Sequence, residues 1–178
     1  INESGVDLSA SNMASVKILN ESITFDFVSV SIAKPIIGTK ESAKGRSPDE
    51  FLHQVSLSDF QIMSEEVSQI QWRSILGNNP VTFTKCGDKC PVENISFYDA
   101  LAFANAKSRI DGYNECYDLK NCSGEPGINF SCQSEPVFSG LKCDGYRLPT
   151  EAEWEVAYRS GSSNDFYNGP ITSLTGSD

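Results

Sequence analysis

From Ile23 to Ile32 the run ITFDFVSVSI alternates apolar and polar side chains, the period of a half-buried strand. The alternation slips between Phe27 and Val28, which predicts a bulge at that step. In HQVSLSDF, Val55 and Leu57 share a face, so His53 to Ile62 reads as a second strand. Between the two strands, residues 38–50 (GTKESAKGRSPDE) read as a polar loop, and residues 1–22 read as a polar leader or linker without periodicity.

The pattern then switches to helical spacing three times, and each switch begins with a capping box, a hydroxyl residue followed three positions later by a side chain that can reach back. Ser68 with Gln71 opens a helix through Leu76, stopped by Gly77-Asn78-Asn79-Pro80. Ser96 with Asp99 opens FYDALAFANAKSRI, in which Ala100, Phe103 and Ala104 form one face and Gly112 follows the end. Thr150 with Glu153 opens a third helix that closes near Gly161. Pro149 sharpens its start, because proline cannot extend a helix backwards, and Trp154 and Ala157 are expected to begin its apolar face. Residues 112–145 read as a long irregular stretch, of a length that needs staples.

Composition narrows the classes. The chain has 178 residues, enough for one domain with a core. A net charge of −10 argues against a nucleic-acid partner or an anionic membrane surface, and no apolar run is long enough to be a transmembrane segment. The six cysteines are Cys86, Cys90, Cys116, Cys122, Cys132 and Cys143. Their spacings do not repeat a C-x2-C pattern and no histidine lies near them, so disulfides are favoured over zinc, and with them an oxidising, extracytoplasmic compartment. Cys86 and Cys90, neighbours in a glycine-containing turn, are expected to pair. Among the other four, Cys122–Cys132 and Cys116–Cys143 are preferred, with other pairings open. The single histidine, His53, reads as a strand residue and leaves no room for a multi-histidine metal centre.

The run GYRLPTEAEWE (145–155), with EEVSQIQW (65–72), GNNP (77–80) and CGDKCPVENISFYDA (86–100), resembles the formylglycine-generating enzyme family, also called the sulfatase-modifying-factor family, in its bacterial cysteine-rich branch. HQVSLSDFQI, FVSVSIAKPIIGT, CYDL, Cys143-Asp144-Gly145-Tyr146 and the closing FYNGPITSLTGSD fit the same family. Departures are Ser68 for threonine, Ile95 and Phe97 for valine and tryptophan, and Ile37 for methionine before Gly38. The resemblance implies an α+β domain of the C-type-lectin-like type, with short helices, small sheets and many loops. It assigns residues 23–178 to the N-terminal part of such a domain. It also implies oxidation of a sulfatase cysteine to formylglycine with O2, using copper held by a cysteine pair, and calcium loops. The family's "GNVWEW", "RGGS" and "GFR" segments do not occur in these residues, so no catalytic, cofactor or metal residue is assigned within the chain. Copper and calcium are expected of the full-length protein. The alternative reading is a non-catalytic extracytoplasmic module that binds or scaffolds on the same fold.

Other candidate chemistry is sparse. Glu151, Glu153 and Glu155 could serve as acid–base groups, but carboxylates at a helix start are ordinarily solvated and complement the helix dipole. Arg147 is expected to pair with a buried carboxylate, with contact to a substrate as the alternative. Asp99 and Asp144 read as capping or turn residues before calcium ligands. Asn94, Asn121 and Asn129 head Asn-x-Ser sequons, which matter only in a glycosylating host.

Overall fold

The computed structural model describes residues 23–162 and Asn164. The expectations for residues 1–22 and for FYNGPITSLTGSD lie outside the described residues, Asn164 being the last of them.

Three α-helices, one 3-10 turn (Thr84–Cys86) and four two-stranded antiparallel sheets make up the regular structure of the described residues. Strand β1 (Phe27–Val30) pairs with β4 (Phe60–Met63), from Phe27 opposite Met63 to Val30 opposite Phe60 without a shift. The bulge expected at Phe27–Val28 is therefore absent. Val28 faces outward, half exposed, so the slip in the pattern is an apolar residue on the solvent side and not an extra residue in the backbone. Strand β2 (Ile36–Ile37) pairs with β3 (His53–Gln54). The second predicted strand is thus two strands. Between them Val55 N–H and Leu57 N–H donate to Pro35 O and Ala33 O, both at 3.1 Å, as pairing passes from the β2 side to β1.

All three predicted capping boxes form. Helix α1 (Gln69–Leu76) is capped by Ser68, whose Oγ accepts from Gln71 N–H, and ends at Gly77 with φ 81°. Helix α2 (Phe97–Ile110) is capped by Ser96, and helix α3 (Glu151–Arg159) by Thr150. Helix α2 is the centre of the molecule. Its residues 101–108 are all buried, so the expected single apolar face is too narrow: Asn105, Lys107 and Ser108 are enclosed with it, and Ala100 is half-buried. The enclosed polar groups are bonded, as burial requires. Leu101, Ala104, Cys116 and Tyr117 form the innermost cluster, with Leu119, Cys143, Tyr146 and Leu148 against it. Trp72 of α1, 1% exposed, stacks on Phe103 of α2 with ring centroids 5.2 Å apart.

The stretch 112–145 is less irregular than its composition suggests. It carries β5 (Tyr117–Asp118), β6 (Cys122–Glu125), β7 (Ile128–Cys132) and β8 (Val137–Phe138). Strands β5 and β8 pair, and β6 and β7 form a hairpin with a register shift between Ser123 and Glu125. Gly124 sits at that shift with φ +80°, where a Cβ would run into the Asn129 carbonyl, so only glycine fits.

Candidate functional site

The 145–155 run is held by paired charges. Arg147 donates through both terminal nitrogens to the two carboxylate oxygens of Glu153, each at 2.7 Å, and Nη1 also reaches Leu148 O at 3.1 Å. Thr150 N–H donates to the same carboxylate at 2.8 Å, completing the capping box. Leu148 N–H donates to the Tyr117 hydroxyl at 2.9 Å, fastening the run to the core. Glu153 is 4% exposed. Arg147 holds its carboxyl below the ordinary range, burial opposing, and Glu153 in turn raises the arginine. The expected pairing of Arg147 with a buried carboxylate is what the structure contains. The reading of all three glutamates as solvated helix-start groups is corrected at Glu153. Of the three, Glu151 alone is exposed.

The apolar face assigned to α3 is corrected as well. Trp154 is 52% exposed and stacks on Tyr158 with ring centroids 5.0 Å apart, while Val156 and Glu153 are the buried positions. The capping box explains this rotation of the helix. Glu153 must point back to the Thr150 amide and to Arg147, which turns the adjacent tryptophan outward.

Glu155 makes a second, long-range clamp. Its Oε1 accepts from Gly38 N–H and from Arg159 Nε, both at 2.8 Å, while Arg159 Nη2 donates to Gly38 O at 2.8 Å. Gly38 has φ +91°, and a Cβ there would strike the Phe51 carbonyl, so the kept glycine has two physical reasons.

A third cluster joins Lys107, Asp111 and Tyr146. Asp111 accepts from Lys107 and from the Tyr146 hydroxyl, and Lys107 Nζ lies 4.4 Å from the Phe25 ring centroid and 4.7 Å from that of Tyr146. The Lys107 bond, then the Tyr146 bond, holds the Asp111 carboxyl below its usual range; burial first, and Asp111 second, pushes the Tyr146 hydroxyl up. Ser108 Oγ donates to Ala104 O and accepts from Tyr146 N–H, both at 2.8 Å.

The remaining predicted residues fall into structural places. Asp99 Oδ2 accepts from Ser96 N–H at 2.7 Å, and Oδ1 accepts from Gly127 N–H at 2.6 Å, joining α2 to the β6–β7 turn. Asp144 accepts from the backbone and side-chain nitrogens of Asn114, both at 3.2 Å. His53, exposed in β3, places Nδ1 2.9 Å from Phe51 O. Asn94, Asn121 and Asn129 share left-handed backbone, with φ of 61°, 53° and 54°. Left-handed backbone, which asparagine adopts more readily than most residues, therefore accounts for asparagine at all three, Asn129 being within β7 beside the hairpin turn. Sequence reasoning treated Asn78 only as part of a helix stop. Its carboxamide in fact accepts from Trp72 Nε1 at 3.0 Å and donates to Pro126 O at 2.7 Å.

The cysteines pair as Cys86–Cys90, Cys116–Cys143 and Cys122–Cys132, and none is free. Cys116 is completely buried and Cys86 is exposed. With every sulfur bridged, the chain offers no thiolate to copper, and among the described residues no three His, Cys, Asp or Glu side chains come together as metal ligands. Among the described residues, then, the donors that the resemblance implies for copper and calcium are not brought together. No helix among the described residues is long and apolar enough to cross a membrane.

Two clefts remain. One of about 480 Å³ lies between α2 and the β5–β8 region, lined by Leu76, Asn105, Arg109, Glu115, Tyr117 and Phe130. Its polar lining is internally bonded: Asn105 clasps the Tyr117 backbone at 2.6 and 3.2 Å, and Arg109 meets Glu115 at 2.6 Å. The other, about 380 Å³, lies beside the Gly38 clamp, lined by Ile36, Leu52, Val156 and Arg159 among others.

Residues 30–172 match the model of the sulfatase-modifying factor enzyme 1-like domain. Over 119 residues the chain is 37% identical to a Paenibacillus barcinonensis protein named chaperone protein LppX, covering 65% of this chain and 42% of that protein. It superposes on the solved structure of Treponema denticola variable protein 1 with a TM-score of 0.63 and 26% identity, covering 82% of this chain and 56% of that one. CarF, at 24% identity and a TM-score of 0.54 over 78% of this chain and 57% of its own, shares the fold. The chain thus spans about half the length of the relatives it matches. The match over most of its length, on a mixed α+β scaffold of the C-type-lectin-like type, shows that this chain belongs to the sulfatase-modifying-factor, or formylglycine-generating enzyme, family.

Proposed function

We propose that this chain is a disulfide-stapled, extracytoplasmic scaffold of the sulfatase-modifying-factor type that acts by binding another polypeptide, and that its own residues do not oxidise one. The observation that carries this reading is the complete bridging of its six cysteines, with Cys116 sealed in the core. Oxidising a substrate cysteine through copper requires a thiolate pair open to a soft metal and to the substrate sulfur. The name of one relative, a chaperone, supports a binding role. Three disulfides favour an oxidising compartment outside the cytoplasm.

The second reading rests on family membership: in the full-length protein, formylglycine formation from a sulfatase cysteine with copper and O2. Thiolates for that chemistry, and any calcium loops, would come from residues other than those described, and residues 23–178 would form the N-terminal part of the active domain. The two readings separate in one experiment. The 178-residue chain is incubated with copper, O2 and a sulfatase peptide bearing a Cys-x-Pro-x-Arg core, then with a reduced, unfolded client protein. The expected result is an unmodified peptide by mass spectrometry and slower aggregation of the client. Conversion of the peptide cysteine overturns the binding-only reading, and unchanged client aggregation removes its support.

A further inference from the structure

We propose that the Cys86–Cys90 disulfide is a reducible clasp on the first turn of α1, opened by dithiol reductants while the other two bridges stay closed.

A helix start leaves backbone N–H groups without intrahelical partners. In α1 the Ser68 side chain takes only the Gln71 amide. The two preceding amides are taken by the disulfide loop: Gln69 N–H donates to Cys90 O at 2.8 Å, and Ile70 N–H donates to Asp88 O at 3.0 Å. The loop also grips α1 from the side, through Asp88 and Arg73 at 2.9 Å. Just after it, Val92 N–H donates to Val67 O at 2.8 Å. Seated on this turn is Trp72, 1% exposed in the core. The shape of the 86–90 loop therefore decides whether the start of a core helix is satisfied.

The three bridges differ in what holds their sulfurs together. Cys116 is fully buried and Cys143 is partly buried against the same core cluster, so that bridge offers an attacking thiolate only the Cys143 sulfur, with restricted access. Cys122 is exposed, as Cys86 is, but it faces Cys132 across the β6–β7 ladder, so their thiols stay adjacent after reduction and reclose readily. Cys86 is exposed, in a run of exposed residues from Thr82 to Lys89. Few backbone bonds shape that loop, among them Cys86 N–H to Phe83 O and Cys90 N–H to Gly87 O, both at 3.1 Å. In the exchange, a thiolate of the dithiol attacks one sulfur to give a mixed disulfide. Its second thiol then displaces the protein sulfur. Two electrons and two protons pass to Cys86 and Cys90, which become thiols, and the reductant leaves as a disulfide.

The test is a native-state titration of the whole chain with dithiothreitol. Alkylation and peptide mapping at each step are followed by hydrogen exchange. Labelling of Cys86 and Cys90 is expected at a reductant concentration at least tenfold below that needed for the other four. The Gln69 and Ile70 amides should then exchange at least tenfold faster, with α2 unchanged. A Cys86→Ser/Cys90→Ser variant should show the same fast amides without reductant. Reduction of all three bridges together, earlier reduction of Cys122–Cys132, or a loop reduced with no change at Gln69 and Ile70 would each overturn the proposal.

Discussion

Replacing Glu153 by glutamine should destabilise this domain more than removing the whole indole of its neighbour Trp154. Three hydrogen bonds end on the Glu153 carboxylate, two from Arg147 at 2.7 Å and one from the Thr150 amide at 2.8 Å. The side chains are 15% and 6% exposed, so the arginine left behind cannot fully rehydrate. Removing one partner of a well-buried pair costs about 3–5 kcal/mol, and the residual access of Arg147 places this case near the lower end, about 3 kcal/mol. Trp154→Ala, by contrast, deletes a ring already 52% exposed, whose main contact is the stack on Tyr158, worth about 1 kcal/mol. The assay is urea unfolding with disulfides intact, comparing midpoints at constant slope. A paired Arg147→Met/Glu153→Leu variant should recover most of the loss, because well-packed apolar side chains replace such a pair at little cost. The pH dependence gives an independent check. Arg147 lowers the Glu153 pKa from 4.5, so the pair's contribution is present above that value and is lost as pH falls through the lowered one. The gap between wild type and Glu153→Gln should therefore close in acid. A Trp154→Ala protein less stable than Glu153→Gln at neutral pH, or a gap that does not change with pH, would refute the reasoning.

Gly145→Ala should cost about 2–3 kcal/mol by thermal unfolding, even though its φ is not left-handed, because the new Cβ would meet the Asn114 carbonyl and lie 2.7 Å from Ser108 Oγ. Thr150→Ala should lower stability by about 1 kcal/mol, since the Glu153 amide loses its cap acceptor at 3.2 Å, and serine at the same position should restore it.

Local devices in this chain are legible because they lie within a few residues of one another. The capping boxes at Ser68, Ser96 and Thr150 each join residues three positions apart, and all three form. The same device, read through to its geometric consequence, would have turned Trp154 outward. An aromatic residue in a family signature invites a core assignment that periodicity over nine helical residues is too short to test. The burial of α2 on all sides was hidden for a different reason. Asn105, Lys107 and Ser108 look like a polar face until their partners, drawn from Tyr117, Asp111, Phe25 and Tyr146, are placed around them. The Glu155 clamp had no sequence signal at all, because nothing in the chain near Glu155 announces a glycine amide so far upstream.

That clamp has a consequence for synthesis. Gly38 waits for an acceptor 117 residues further along the chain. At about 5–20 residues per second of elongation, the gap is on the order of ten seconds, during which β2 and β3 have no α3 to lean on. Ile37, 6% exposed in the finished domain and part of the strand that α3 packs against, is open to other contacts for that interval. The front of the domain is made early and fastened late, so its most vulnerable state is the nascent chain that has Gly38 but not yet Arg159.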